Sequence, residues 1–146
     1  MSSARAQRQQ AIRQAVRAGA IRTQAELVEA LAARGFEVTQ ATVSRDISEL
    51  DLRKDARGVY ALPETLRFNV LVDASVRETR RAGNQVVILT GPGAAMGVAT
   101  ALDSLECADV LGCIAGDDTV LAICADGEAG QRFQESIDAL VDGAQG

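Results

Sequence analysis

The chain has 146 residues, enough for one ordinary domain or two small ones, with a formal net charge of −5 and no histidine. The missing histidine excludes imidazole acid–base or nucleophilic catalysis, and three cysteines without a C-x-x-C pair argue against zinc. Residues 1–60 hold 10 basic against 7 acidic side chains and residues 61–146 hold 5 against 13, so the front should meet a polyanion and the back a cation.

Over residues 6–18, Ile12 and Val16 stand at i and i+4 among arginines and glutamines, which predicts a short amphipathic helix. The first 25 residues hold Arg5, Arg8, Arg13, Arg17 and Arg22 without an acid, a cluster suited to phosphates. Thr23-Gln24-Ala25-Glu26 is a capping box for a second helix, with Leu27, Val28 and Leu31 as its stripe and Gly35 as its stop. Thr39 caps a third helix running to about Leu50. Val43, Ile47 and Leu50 share one face of it, while Ala41, Ser44, Arg45 and Ser48 point away, with Gln40 and Thr42 in the exposed first turn.

From Leu52 to Pro63, two short extended pieces flank a polar turn, the pattern of a β-hairpin. Three helices and a hairpin predict a winged helix-turn-helix over 1–63. Its third helix offers hydroxyls, an amide and one guanidinium, groups that suit the major groove, where arginine grips guanine bidentately. An ordinary three-helix bundle with a solvated Ser/Thr/Arg face is the competing reading.

A linker is expected at 64–68 and a second domain at 69–146. Phe68 to Val76 alternates in part and reads as a strand, Gly83-Asn84 marks a turn, and Val86 to Thr90 is a buried strand. Gly91-Pro92-Gly93 leads into a helix from about Ala94 to Glu106. Two more strands, Val110 to Ala115 and Thr119 to Cys124, precede a last helix from about Glu128 to Val141. The order β-β-α-β-β-α is a two-layer α/β sandwich, both helices on one face of a mainly antiparallel sheet, which makes the whole chain α+β. Its apolar sheet face has few charges to cover it, so burial in a homo-oligomer is expected. The G-x-G-x-x-x-G run only superficially resembles a dinucleotide fingerprint: the spacing differs, Pro92 stiffens the turn, and no second βαβ unit follows. A tight turn that brings backbone close to a small ligand or a partner fits better.

The opening residues carry no apolar signal core, and no uninterrupted apolar run reaches the roughly 20 residues that span a bilayer. A soluble, cytoplasmic protein with no membrane partner is expected, with Cys107, Cys113 and Cys124 as small buried thiols.

Asp117 and Asp118 interrupt the apolar run from Val110 to Ala125. Aspartate in a turn often does no more than cap backbone N–H groups. Two adjacent carboxylates repel, however, and no Lys or Arg lies between Arg81 and Arg132, so an external cation is their natural partner. An enzyme using them as metal ligands or an acid–base pair would need a third ligand cluster or a nucleophile–base pair, and neither is evident. No catalytic residue, metal or cofactor is expected.

Taken together, these segments resemble the bacterial arginine repressors over nearly the whole chain. Thr39-Gln40-Ala41-Thr42-Val43-Ser44-Arg45-Asp46-Ile47-Ser48-Glu49-Leu50 is similar to that family's recognition helix. Pro92 to Ala95, Ala101 to Leu105 and Leu111 to Thr119 are similar to its core domain. The resemblance implies trimers that pair into hexamers, L-arginine as corepressor at the trimer–trimer interface, and palindromic operator DNA upstream of arginine biosynthesis genes. It implies that Gln40, Thr42, Ser44 and Arg45 face DNA. The effector shell would be Asp117 and Asp118 from different subunits, Asp103, and the helix start around Ala94 and Met96. Two departures stand out: Met96 where relatives usually have Gln or His, and Cys113 for a common Thr. The first bears on ligand affinity and identity, and the alternative is a regulator of the same architecture that answers to another amino acid or, as the resemblance also implies for some relatives, activates arginine catabolism.

Overall fold

A computed structural model describes residues 3–143; the outer ends of the segments expected at 1–63 and 69–146 lie outside the described residues. The chain divides into two compact units, Met1–Leu66 and Arg67–Gly146, each with its own hydrophobic core.

In the first unit, α1 (Ala4–Arg17) begins at Ser3, whose hydroxyl accepts from the Ala6 N–H. α2 (Gln24–Ala33) opens with a complete capping box. Thr23 Oγ1 accepts from the Glu26 N–H at 3.1 Å, and Glu26 Oε2 accepts from the Thr23 N–H at 3.2 Å. Gly35, at φ +87°, carries the chain out of α2 through the left-handed region. α3 (Gln40–Glu49) is capped by Thr39. The wing is a short antiparallel pair, β1 (Arg53–Lys54) with β2 (Tyr60–Ala61). Ile12, Leu27, Leu31, Val43 and Leu62 fill the core between these elements.

The stretch expected as a linker (64–68) and then a strand from Phe68 to Val76 is instead helix α4 (Pro63–Ser75). Pro63 is preset for a first helical turn and Glu64 complements the positive helix start. Phe68 and Val72 are buried while Val70 between them is 66 % exposed, a pattern that a helix gives and that a strand, which puts all three on one face, does not. The division between the two units falls inside α4.

The first strand of the second unit is therefore β3 (Val76–Ala82), a charged edge strand with a bulge between Val76 and Glu78. β4 (Gln85–Thr90), β5 (Val110–Ala115) and β6 (Thr119–Cys124) complete an antiparallel sheet in the order β3-β4-β6-β5. α5 (Ala95–Asp103) and α6 (Gly127–Gly143) cover one face, over buried Val86, Ile88, Val120, Ala122 and Cys124. The order of elements after α4 is thus the expected β-β-α-β-β-α. At the other edge, Leu111 and Ile114 on β5 are 72 % and 71 % exposed, apolar surface of the kind a neighbouring chain covers. Of the three thiols expected inside, only Cys124 is buried, and Cys107 and Cys113 are half-buried.

At Gly130, α6 lies tight against the turn between β3 and β4: a Cβ there would lie 2.7 Å from the Gly83 carbonyl oxygen and 3.3 Å from Asn84 Cα. Backbone cannot swing aside as a side chain can. Gly130→Ala should therefore cost about 1–3 kcal/mol in urea unfolding; an unchanged midpoint would mean that α6 can shift away freely.

Arg132 Nη2 donates to Asp109 Oδ1 at 2.7 Å and holds that carboxyl below its usual range. A lowered carboxylate pKa stabilises the fold fully above the unfolded value near 3.9, and that contribution is lost as pH falls through the lowered one. Arg132→Gln should thus lower stability at neutral pH and flatten the loss between about pH 5 and 2. An acid limb identical to the unmutated protein's would show that the pair adds nothing.

Candidate functional site

On α3 the inward positions are Val43 and Asp46, both buried, with Ile47 and Leu50 packed at the margin of the core. Gln40, Ser44 and Arg45 are exposed, as their helical phase requires, and Thr42 is half-buried. Thr42 also serves the helix start: its N–H donates to Thr39 Oγ1 at 3.2 Å and the two hydroxyls lie 3.1 Å apart. Gln40 Nε2 donates to Gln24 Oε1 at 3.3 Å. Among the described residues, Arg45 has no hydrogen-bond or ion-pair partner, so its guanidinium is available to a ligand outside the unit.

The arginine cluster at the front is not such a free patch. Arg5 pairs with Glu49, Arg8 with Asp46, and Arg13 and Arg17 with Glu64; Arg22 Nη1 donates to the Arg57 carbonyl at 2.7 Å. All five are engaged within the unit: the acids of α3 and of the start of α4 take the four arginines of α1, and the wing takes Arg22. In the wing, Asp55 accepts from the N–H groups of Arg57 at 2.8 Å and Val59 at 3.1 Å. Burial pushes its carboxyl up, but these bonds and the Arg57 guanidinium outweigh burial and hold it below the usual range. Lys54 lies over the Tyr60 ring, 5.3 Å from its centroid.

In the second unit, residues 116–118 form the turn between β5 and β6, and its backbone is pinned on both sides. The Asp118 carbonyl accepts from the Thr90 N–H at 2.8 Å, the Asp117 carbonyl from the Ala95 N–H at 3.2 Å, and the Gly116 N–H donates to the Thr119 carbonyl at 2.9 Å. The Gly91-Pro92-Gly93 loop thus delivers the first turn of α5 against the acidic turn, with Gly93 at φ +77°. Both carboxylates remain exposed. Asp118 Oδ1 accepts from the Thr119 hydroxyl at 3.0 Å, and no cation among the described residues pairs with either acid.

Ala94 is half-buried at the N-cap of α5, and Met96 beside it is 62 % exposed. No side chain caps this helix, and the N–H groups of Met96 and Gly97 find no acceptor among the described residues. The corner therefore offers two carboxylates, free backbone donors and one apolar side chain. Asp103 is not part of it. It closes the far end of α5, about 12 Å along the helix, where Cys113 Sγ lies 3.4 Å from its Oδ1. Burial, then that hydrogen bond and the carboxylate's charge, push the Cys113 thiol up to about 11. Among the described residues, no three His, Cys, Asp or Glu side chains gather to hold a metal, and no helix is long and apolar enough to cross a membrane.

The residue that sequence reasoning passed over is Asp46. It stands three residues after Val43 and four before Leu50, on the apolar stripe itself, and that phase was the available signal.

The family profile described as "Arginine repressor, DNA binding domain" matches residues 3–68, and "Arginine repressor, C-terminal domain" matches 72–139. Among similar proteins, one from Carboxydothermus hydrogenoformans is 46 % identical, over 92 % of this chain and 97 % of its own length. Proteins from Thermus thermophilus and Symbiobacterium thermophilum are each 42 % identical over 94 % of this chain, and over 90 % and 98 % of their own lengths. All three bear the name arginine repressor.

The free, outward Arg45 yields a direct expectation. Arg45→Ala should reduce binding to specific DNA by about 1–3 kcal/mol, the worth of one bidentate guanine contact, without moving the melting temperature. Gel shifts that match the unmutated protein would rule this helix face out as the reader.

Proposed function

The chain belongs to the arginine repressor family of DNA-binding regulators, which are not enzymes, and from that premise we propose that L-arginine is its corepressor and that it represses arginine biosynthesis genes. In this reading it acts in the cytoplasm as a hexamer of two trimers on palindromic operators. The observation that carries the proposal is the acidic turn: Asp117 and Asp118 are exposed, held by their own backbone, and unpaired with any cation among the described residues. Arginine has a guanidinium and an ammonium for two such carboxylates, and charge-assisted bidentate contacts are the strong ones. Its own carboxylate suits the uncapped start of α5 at Met96 and Gly97.

Carboxylates brought together from facing subunits repel until the ligand's positive groups lie between them. Arginine that binds only the assembled form favours assembly by up to ~4 kcal/mol at a thousand times its dissociation constant. Assembly then presents several winged units, with Gln40, Thr42, Ser44 and Arg45 toward one DNA, and multivalency multiplies weak single contacts. Asp103, at the opposite end of α5, enters the pocket in this scheme only from a neighbouring copy.

Met96 favours a second reading. Its thioether is a weak acceptor and no donor, so the corner binds the ligand's polar groups through acids and backbone alone. An effector other than arginine follows if that chemistry prefers another cation.

Thermal melts of the full chain decide between these. With arginine and a panel of amino acids, arginine should give the largest rise in melting temperature, and both Asp117→Asn and Asp118→Asn should abolish it while leaving the ligand-free transition near its original place. A rise that survives in both variants would mean the acidic turn is only a turn; a larger rise with another amino acid would transfer the effector role to that compound.

A further inference from the structure

Asp46 is 2 % exposed and is the only charged side chain fully buried among the described residues. It follows Arg45 directly on α3, and α1 supplies every group that holds it. Arg8 Nε donates to Oδ2 at 2.5 Å, Arg8 Nη2 to Oδ1 at 3.1 Å, and Gln9 Nε2 to Oδ1 at 3.2 Å. One turn on, Glu49 Oε2 accepts from Gln9 Nε2 at 2.7 Å and from Arg5 Nη2 at 2.5 Å. Burial pushes the Asp46 carboxyl up, yet the Arg8 and Gln9 bonds leave it below the usual range, so it stays charged.

A buried ion pair is poor evidence of stability, because desolvating two charges offsets most of their attraction. What an Arg–carboxylate fork does supply is direction: two parallel N–H···O bonds allow one relative orientation, whereas apolar contacts tolerate sliding and rotation. The requirement is severe on α3. At an outer helix radius of roughly 5–6 Å, a rotation of about 20° moves a side-chain head by about 2 Å. That is more than a hydrogen bond to a base edge can absorb.

We propose that Arg8 and Asp46 are a positioning pair that sets the rotation of α3 against α1 and thereby aims Arg45 at the base edges. The inference rests on the reading that the outward face of α3 contacts DNA. Arg8 also neutralises the acid that follows Arg45 in sequence, so the inward face of α3 carries no unpaired charge there.

The test uses the full chain and two probes: a duplex selected by the unmutated protein from a random-sequence pool, and a duplex of scrambled sequence and equal length. The ratio of the two affinities is measured at one salt concentration beside the melting temperature. The double variant Arg8→Met with Asp46→Leu replaces the pair by apolar groups of similar size and should melt within a few degrees of the original. Its ratio should fall roughly tenfold or more, the scale of one lost bidentate base contact. Arg8→Lys, which keeps the charge but not the fork, should lower the ratio with little change toward the scrambled duplex.

A folded double variant with an unchanged ratio overturns the proposal. Should the double variant fail to fold, Arg8→Lys decides alone: an unchanged ratio overturns the proposal and a lowered one supports it. Arg45→Ala serves as the control for the underlying reading, since a ratio that survives that change dismisses α3 as the reader whatever the pair does.

Discussion

Asp117 and Asp118 give their backbone carbonyls to the protein and their carboxylates to solvent. The Thr90 and Ala95 N–H groups reach those carbonyls, so the end of β4, the start of α5 and the β5–β6 turn meet at one corner. Backbone bonds do not depend on the state of the side chains. Two like charges can therefore be held side by side without the turn unravelling to separate them. The repulsion remains, and with no internal cation among the described residues only an arriving positive group relieves it.

The DNA-binding unit solves the opposite problem. It has an excess of positive charge, yet α1 turns most of its arginines inward or sideways onto Asp46, Glu49 and Glu64. What remains free on the outward face of α3, among the described residues, is Arg45. Recognition by one well-aimed guanidinium differs physically from attraction by a diffuse basic surface. The first depends on geometry and discriminates between sequences, and the second depends on ionic strength and does not. The two units thus divide their charge between groups neutralised internally and groups left open to solvent.

Local signals read true. The capping box at Thr23 and Glu26, the cap at Thr39, the exit at Gly35 and the Asp-containing wing turn all close within a few residues, and all stand in the structure. The segment from Pro63 to Ser75 did not read true as linker and strand. Phe68-Asn69-Val70-Leu71-Val72 is rich in strand formers, and over five residues the periods of 2 and 3.6 are hard to separate. Burial of Phe68 and Val72 with Val70 between them left exposed, a tertiary fact, settles the phase as helical. The true first strand, β3, was masked by its charges, which an edge strand carries to discourage pairing with other chains.

Outside residues 63–82, the sequence by itself determined the kinds of element and most of their ends, together with the outward phase of Gln40, Ser44 and Arg45 and the acidic doublet in an apolar run. These follow from caps, turns and periodicity, whose interactions link residues three or four apart. Only the tertiary structure decided which charges are free. Arg8 meets Asp46 across 38 positions, Arg5 meets Glu49 across 44, and Arg13 meets Glu64 across 51. No local pattern reveals a partner at that distance, because the pairing is set by how the helices pack and not by the order in which they occur.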